Sequence, residues 1–450
     1  MASTMTGSHA VVIGAGMGGL TAAAAAARHF ERVTVLERDA LPTQAEPRPG
    51  TPQARHAHAL LAGGLQALNT LLPGFEDDLW RAGAVPMSSG LDTRMERPGF
   101  DPFPSRDLDI RAYAMSRPLL EFAVRQRVQG LSNVHIRSGC RVLGVLASVR
   151  GDAVTGVRCE TDGSPAHDLS TDLVIDASGR GAPTLELLKS TGRGEPPQTD
   201  IGVDIGYATV LFHRPADATN EWKSVVHIPA APHCSRGGFV FPIEGNCWIV
   251  SLGGRGKDKP PGDAAGFLEF ASSLRTPTIY DAIRPAAPVG DPIRYAFAQS
   301  RRRHFERLDS FPKGLLPIAD AICVFNPVYG QGMSVAAQEA VLLGRLLEAC
   351  RHDGDAVSTL ASRFFEQIES ILETPWSSAA LPDFVFPDTT GMRPADLEQT
   401  LRFGSALMRL AARDADVHKL VTEVGNLLKP RSAYREPAFM QRVVAEMAKT

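Results

Sequence analysis

Gly14-Ala15-Gly16-Met17-Gly18-Gly19 sets three glycines at the spacing G-x-G-x-x-G, and Glu37 follows about twenty residues later. The chemistry that such residues can do is to hold a dinucleotide. Gly14 permits a tight turn, Gly16 lets a pyrophosphate approach the backbone, and Gly19 lets a helix pack closely on a strand. A helix opening at Met17 would turn its free N–H groups and positive dipole end toward the phosphates. The Glu37 carboxylate can accept hydrogen bonds from ribose hydroxyls, and Arg38 beside it belongs to the same candidate set. This spacing does not by itself distinguish FAD from NAD.

A second glycine-rich segment bears on that choice. Gly314-Leu315-Leu316-Pro317-Ile318-Ala319-Asp320 reads as a buried strand ended by an aspartate, and Asn326-Pro327-Val328-Tyr329-Gly330-Gln331-Gly332-Met333 as a turn feeding a long helix. Reduced flavin is anionic, and a helix N-terminus stabilises an anion. Asp320, Pro327, Gly330, Gly332 and Met333 are therefore cofactor candidates, although Asp320 also suits a plain turn or cap and Tyr329 suits simple packing.

These residues need a scaffold. The pattern predicts a strand over 10–13, a helix through the alanine run to 29 and a strand over 33–36, the opening of a βαβ unit. A loop is expected over 41–52, a helix over 56–72, irregular chain with short strands over 81–111, and a helix over 116–128. Strands are expected at 134–136, 142–146, 173–175, 225–228, 238–241, 247–252 and 314–318, and a helix at 333–350. From 358 onward the chain reads as helical, with a proline-rich break over 382–394. The expected fold is α/β: a Rossmann-like FAD-binding domain with an inserted β-sheet substrate domain and a helical C-terminal region. The first comprises residues 1–200 and 299–355, with 75–112 joining the substrate side; the others span 201–298 and 356–450.

Composition narrows the partners. The chain has 450 residues, 44% of them hydrophobic, and 47 Lys and Arg nearly balance 50 Asp and Glu. That length can bury a sizeable core, and the balanced charge argues against nucleic acid as a partner. The six cysteines are scattered without a CxxC pair, which fits reduced thiols in a cytoplasm rather than a disulfide scaffold. Residues 10–27 carry no charge, but glycine and alanine dominate them, so strand, turn and helix explain them better than an integral membrane segment. His56 and His58 lack a nearby third ligand, so no metal site is expected.

The two glycine segments together resemble the group A flavoprotein monooxygenases of the para-hydroxybenzoate hydroxylase fold. Pro52-Gln53-Ala54-Arg55-His56-Ala57-His58-Ala59-Leu60-Leu61 and residues 325–333 resemble, more narrowly, the FAD-dependent epoxidases of polyether polyketide biosynthesis, and more distantly squalene epoxidase. The similarity runs to about Cys350 and weakens beyond it. It implies that Asp320 holds the ribityl and pyrophosphate part of FAD, that the loop before Met333 lies against the isoalloxazine, and that Arg55, Arg117, Val142 and Ser178 belong to the cofactor set.

It also implies an activity. FAD would take up dioxygen as a C4a-hydroperoxide and pass one oxygen atom to an apolar polyene, terpenoid or aromatic intermediate, most specifically by alkene epoxidation. The flavin carries the hard step, so no catalytic side chain is assigned. Aromatic hydroxylation and a geranylgeranyl-reductase-like reaction are the alternatives, with a non-enzymatic FAD carrier as a further one. Flavin halogenases normally carry a Trp-x-Trp-x-Ile-Pro motif and a lysine near position 80, whereas Trp80, Trp222, Trp248 and Trp376 stand alone and the first lysine is Lys189. Asp176-Ala177-Ser178-Gly179-Arg180 puts serine where most of these hydroxylases carry an aspartate that helps bind NADPH. Reducing equivalents would then come from NAD(P)H either directly or through a partner flavin reductase.

Overall fold

The computed structural model describes residues 5–161, 163–216, 220–350 and 356–449. Residues 1–4, 351–355 and 450, at the edges of the expected domains, lie outside the described residues. A five-stranded parallel sheet runs in the order Leu315–Pro317, Leu173–Asp176, Gly7–Ile13, Phe30–Leu36, Val134–Arg137. The strand order reverses beside Gly7–Ile13, and that reversal opens the crevice where doubly wound sheets bind ligands. Successive side chains on these strands alternate between two cores. Ala10, Val12, Val33 and Val35 face the helices, whereas Val11, Ile13, Leu36 and Val174 face a three-stranded sheet formed by Cys140–Ala147, Val154–Thr161 and His167–Ser170.

The helix Met17–Ala26 is alanine-rich and almost wholly buried, because it runs between the parallel sheet and the helix Gly332–Ala349. Alanine is the strongest helix former and its small side chain permits this close packing. Ser116 caps the helix Arg117–Gln129 by accepting from Leu119 N–H at 3.2 Å, as the Ser-Arg-Pro start suggests.

A seven-stranded sheet is built from Cys323–Val324, Pro288–Arg303, Gln198–His213, Cys247–Arg255, Gly237–Ile243, Ser224–His227 and Thr93–Glu96, in that order. Its two longest strands, Gln198–His213 and Pro288–Arg303, lie outside the strands expected from sequence. The second carries Gly290, Asp291, four arginines and an alternately exposed face, so no hydrophobic run announces it. One face of the sheet buries Val210, Phe212, Val250 and Leu252 under the helices Ala264–Ser272 and Thr278–Ile283. Tyr207 and Tyr295 stand on the other.

The helix expected over 56–72 is shorter, Ala62–Leu71, and a single 3-10 turn covers Pro52–Arg55. Tertiary bonds claim the intervening chain. His56 Nδ1 meets Thr209 Oγ1 at 2.8 Å, Ala57 N–H donates to Ser251 Oγ at 3.1 Å, and Leu61 N–H donates to Ser334 Oγ at 3.0 Å. Beyond Cys350 come the helices Ala356–Asp383, Leu397–Arg413, Ala415–Gly425 and Pro437–Met447, and residues 384–396 form the break between the first two. Among the described residues no helix is long and apolar enough to cross a membrane.

Candidate functional site

The glycine turn has the geometry that its spacing requires. Gly14 sits at φ +99°, and a Cβ there would lie 2.7 Å from the Ala177 carbonyl oxygen. A Cβ on Gly19 would fall 1.9 Å from the Gly14 carbonyl oxygen, so the helix can start against the turn only with glycine at that position. A Cβ on Gly16 would meet only Arg48 Nη2, at 4.0 Å, which leaves its backbone open to the crevice. Met17 is buried at the helix start.

Glu37 is fixed by two backbone donors, Ala15 N–H at 2.8 Å and Asp39 N–H at 3.0 Å, and by Arg48 at 3.2 Å. Arg48 in turn bonds Asp39 at 2.7 Å and Glu121 at 2.9 Å, and Glu121 also holds Arg117 at 2.9 Å. This buried chain of charges links Glu37, beside the glycine turn, to Arg117. Arg48 is absent from the sequence-derived set; it lies in a proline-rich loop where nothing periodic marks it.

Arg117 places one guanidinium nitrogen on Met333 Sδ, and its Nε is buried without a partner. Asp320 lies across from it in a tight turn whose preceding residue, Ala319, has φ +57°. Solvent reaches Asp320 through the crevice, yet protein crowds it. That desolvation pushes its carboxyl up to about 6 against the pull of Arg117 and Arg303.

Behind this turn stands Glu339, fully buried on the helix Gly332–Ala349. Its Oε2 accepts from Ala319 N–H at 2.6 Å while Oε1 has no partner. Burial and the nearby Asp320 raise its carboxyl to about 8, so it is predominantly protonated at neutral pH. Sequence reading missed it, although a lone carboxylate among Ala336, Ala337 and Ala340 was a usable signal.

The loop ahead of that helix is clamped from outside. Asn326 Oδ1 accepts from Val328 N–H at 3.2 Å, and Pro327–Tyr329 form a 3-10 turn. Asp383, at the end of the helix Ala356–Asp383, accepts from Asn326 Nδ2 at 3.1 Å, from the Tyr329 hydroxyl at 2.9 Å and from Arg255. Burial pushes the Tyr329 phenol well up, so it serves here as a hydrogen-bond donor. Gly330 has φ +66° and packs on Ala59, and nothing lies within 4 Å of a Cβ built on Gly332.

The structure thus gathers Gly14, Gly16, Met17, Gly19, Glu37, Arg117, Ser178, Asp320, Pro327, Gly330, Gly332 and Met333 around one crevice at the C-terminal ends of the parallel strands. Ser178 N–H donates to the buried Asp176, and its side chain is exposed at the crevice floor. Val142 lies on the strand that begins with Cys140, whose N–H bonds the Glu37 carbonyl. Arg38 and Arg55 are exposed; Arg38 touches the edge of the charge network through Asp39, at 3.8 Å, and Arg55 has no ion pair among the described residues. The features of the crevice fit FAD. A bound pyrophosphate would meet open glycine backbone with a carboxylate and a helix N-terminus beside it, and buried polar atoms of Arg117 and Gln331 lack partners among the described residues. Among the described residues no group of three metal-ligating side chains occurs.

Next to the crevice lies a cavity of about 380 Å³. Residues 58–61 form one end of it, and Ala59 there packs against Gly330. The strands Thr93–Glu96, Arg111–Ala114 and Ser224–His227 and the helices Leu397–Arg413 and Ala415–Gly425 complete it. Among the described residues no Asp, Glu or Lys lines it. Burial and the neighbouring Arg117 push His58 down to about 4, and burial with Arg106 does the same to His418. Both imidazoles are therefore neutral.

Residues 12–61 match the model of the NAD(P)-binding Rossmann-like domain. Among solved structures, the flavin-dependent brominase Bmp2 superposes with TM-score 0.68 at 14% identity, covering 98% of this chain and 99% of the brominase. PqsL, a probable FAD-dependent monooxygenase from Pseudomonas aeruginosa, superposes with TM-score 0.59 at 17% identity over 84% of this chain and 97% of its own. These likenesses show that the chain shares its Rossmann-like fold with those flavoproteins. Protein Rv3254 of Mycobacterium tuberculosis is 33% identical over 400 residues, which span 85% of this chain and 81% of that protein. On that identity and coverage, the chain belongs to the same family as Protein Rv3254.

Proposed function

We propose that this protein is an FAD-dependent monooxygenase that transfers one atom of dioxygen to an electron-rich double bond of a largely apolar substrate. The observation that carries this reading is the junction of crevice and cavity: the loop 326–332, set to bear the flavin ring, packs through Gly330 on residue 59 of the cavity end. Bound and reduced, FAD supplies the activation of dioxygen.

The chain's own residues do the rest. Asp320 would hold the flavin's hydroxyl-bearing chain as an acceptor, and the backbone of residues 330–333 at the start of the following helix would hold the ring, with the helix dipole favouring negative charge there. Arg48 and Arg117, each paired with acids, would brace the wall on which the cofactor lies. The cavity wall, mainly apolar, holds the substrate and excludes water. Its two neutral imidazoles are weak bases, and a phenol awaiting hydroxylation would want a stronger one, which favours an alkene as the acceptor. A halogenating variant of the fold would want a lysine, and among the described residues the cavity wall has none.

The test supplies the flavin-loaded enzyme with a chemical reductant, isotopically labelled dioxygen, and linear polyenes beside their saturated counterparts. Polyene products carrying one labelled oxygen, with the saturated chains unchanged, are the expected result. Oxygen drawn from water, or no oxygenated product from any alkene, would contradict the proposal.

A further inference from the structure

The cavity wall also carries a charge with no counter-charge among the described residues. Arg97 lines the cavity, and its guanidinium touches Met408 Sδ and lies 5.9 Å from the centre of the Phe103 ring. No carboxylate pairs with it among the described residues, in contrast to Arg94, Arg117 and Arg255, each of which meets an acid. Burial alone pulls the guanidinium's pKa down, with no neighbouring acid to offset it. Arg97 is half-buried, and a guanidinium partly withdrawn from water with no acid beside it is costly unless a ligand supplies the anion.

A second donor stands beside it. His418 packs edge-on against the same Phe103 ring at 5.1 Å and also lines the cavity. Arg106 Nη1 donates to His418 Nδ1 at 3.1 Å, and since a guanidinium has no acceptor this fixes the tautomer with its proton on Nε2. Arg106 is itself occupied, because it also caps the carbonyls of Ala411 and Ala412 at 2.9 and 2.6 Å. The cavity wall therefore offers a guanidinium and an imidazole N–H, both donors, and no Asp or Glu among its described residues.

We infer that the substrate is amphipathic: an apolar skeleton that carries a carboxylate, seated with that anion on Arg97 and His418 and its reactive double bond toward residues 58–61. The inference rests on the monooxygenase reading only for the direction of the reactive end; the anion site stands on Arg97 by itself. A guanidinium–carboxylate contact is charge-assisted and geometrically specific, so it orients the chain as well as retaining it. Water excluded from the cavity strengthens the contact further.

The experiment measures binding by calorimetry to the flavin-loaded, oxidised protein, with no reductant present. Dodecanoate and cinnamate are titrated, each against its own primary alcohol. Both carboxylates are expected to bind about tenfold or more tightly than the alcohols, the order of one charge-assisted contact. Arg97→Met is expected to erase that preference while the alcohols still bind, and Arg97→Lys to keep part of it. Equal binding of acid and alcohol to the wild-type protein overturns the inference, as does failure of both carboxylates to bind at millimolar concentration. A preference that survives Arg97→Met overturns it too. The wild-type comparison needs no variant to fold. Carboxylate binding without any oxygenation would sink the proposed activity alone, and oxygenation of neutral polyenes with no carboxylate preference would sink this inference alone.

Discussion

At the scale of single residues, the crevice depends on atoms that cannot be replaced without collision or an unpaired donor. Asp320→Ala removes the acceptor for flavin-chain hydroxyls; leaving those donors unsatisfied costs about 1–3 kcal/mol, so FAD affinity should fall roughly tenfold or more, as read by flavin fluorescence on titration. Full FAD occupancy in that variant would reduce Asp320 to a turn residue. Glu339 gives a pH signature in the flavin-free protein. Its carboxyl is raised to about 8 from 4.5, so the folded state holds a proton that the unfolded chain releases, and the stability it contributes is lost as pH rises from about 5 to 8. Glu339→Gln keeps an acceptor for Ala319 N–H and should flatten that fall; an unchanged pH profile in thermal melts would show that the group does not titrate there. The glycines were legible in the sequence because backbone geometry alone demands them, as the 1.9 Å clash at Gly19 shows. Arg48 was not, because its partners Glu37 and Glu121 meet it only through tertiary folding.

At the scale of elements, the first strand, helix and second strand follow directly from hydrophobic periodicity and turn chemistry, and so does the helix that follows Gly332. Residues 56–61 departed from their helical pattern because bonds to Thr209, Ser251 and Ser334 outweigh local propensity. The role of the helix Ala356–Asp383 was illegible for a similar reason, since Asp383 acts on a loop more than fifty residues away in sequence. That clamp is testable. Tyr329→Phe deletes one of several bonds to Asp383 and should cost about 0.5–1.5 kcal/mol of stability while FAD stays bound. Asp383→Ala strands the largely buried Arg255 and should cost about 3–5 kcal/mol, with weakened flavin binding. Denaturant melts that gave the two variants equal stability would remove the clamp from the account.

At the scale of the whole molecule, the parallel sheet builds the crevice and the seven-stranded sheet with the C-terminal helices builds the cavity, and the two meet at residues 58–61 and 330. The cavity wall could not be read in advance, because Met408, His418 and Val421 come from helices that carry no motif. Electron supply is also a property of the whole assembly. With Ser178 at the position discussed above, NADPH alone should reduce the flavin slowly and a flavin reductase should speed turnover, since a misplacement of about 1 Å costs on the order of a hundredfold in hydride transfer. Fast, saturable reduction by NADPH in anaerobic stopped-flow would reject the partner reductase and leave the oxygenase reading standing. All of this rests on what fills the crevice, and the most direct measurement is the nucleotide released by heat from the purified protein, identified by chromatography and counted against chains. One non-covalently bound FAD per chain is expected; NAD(P) in its place, or a protein that takes up no flavin on reconstitution, would contradict the account.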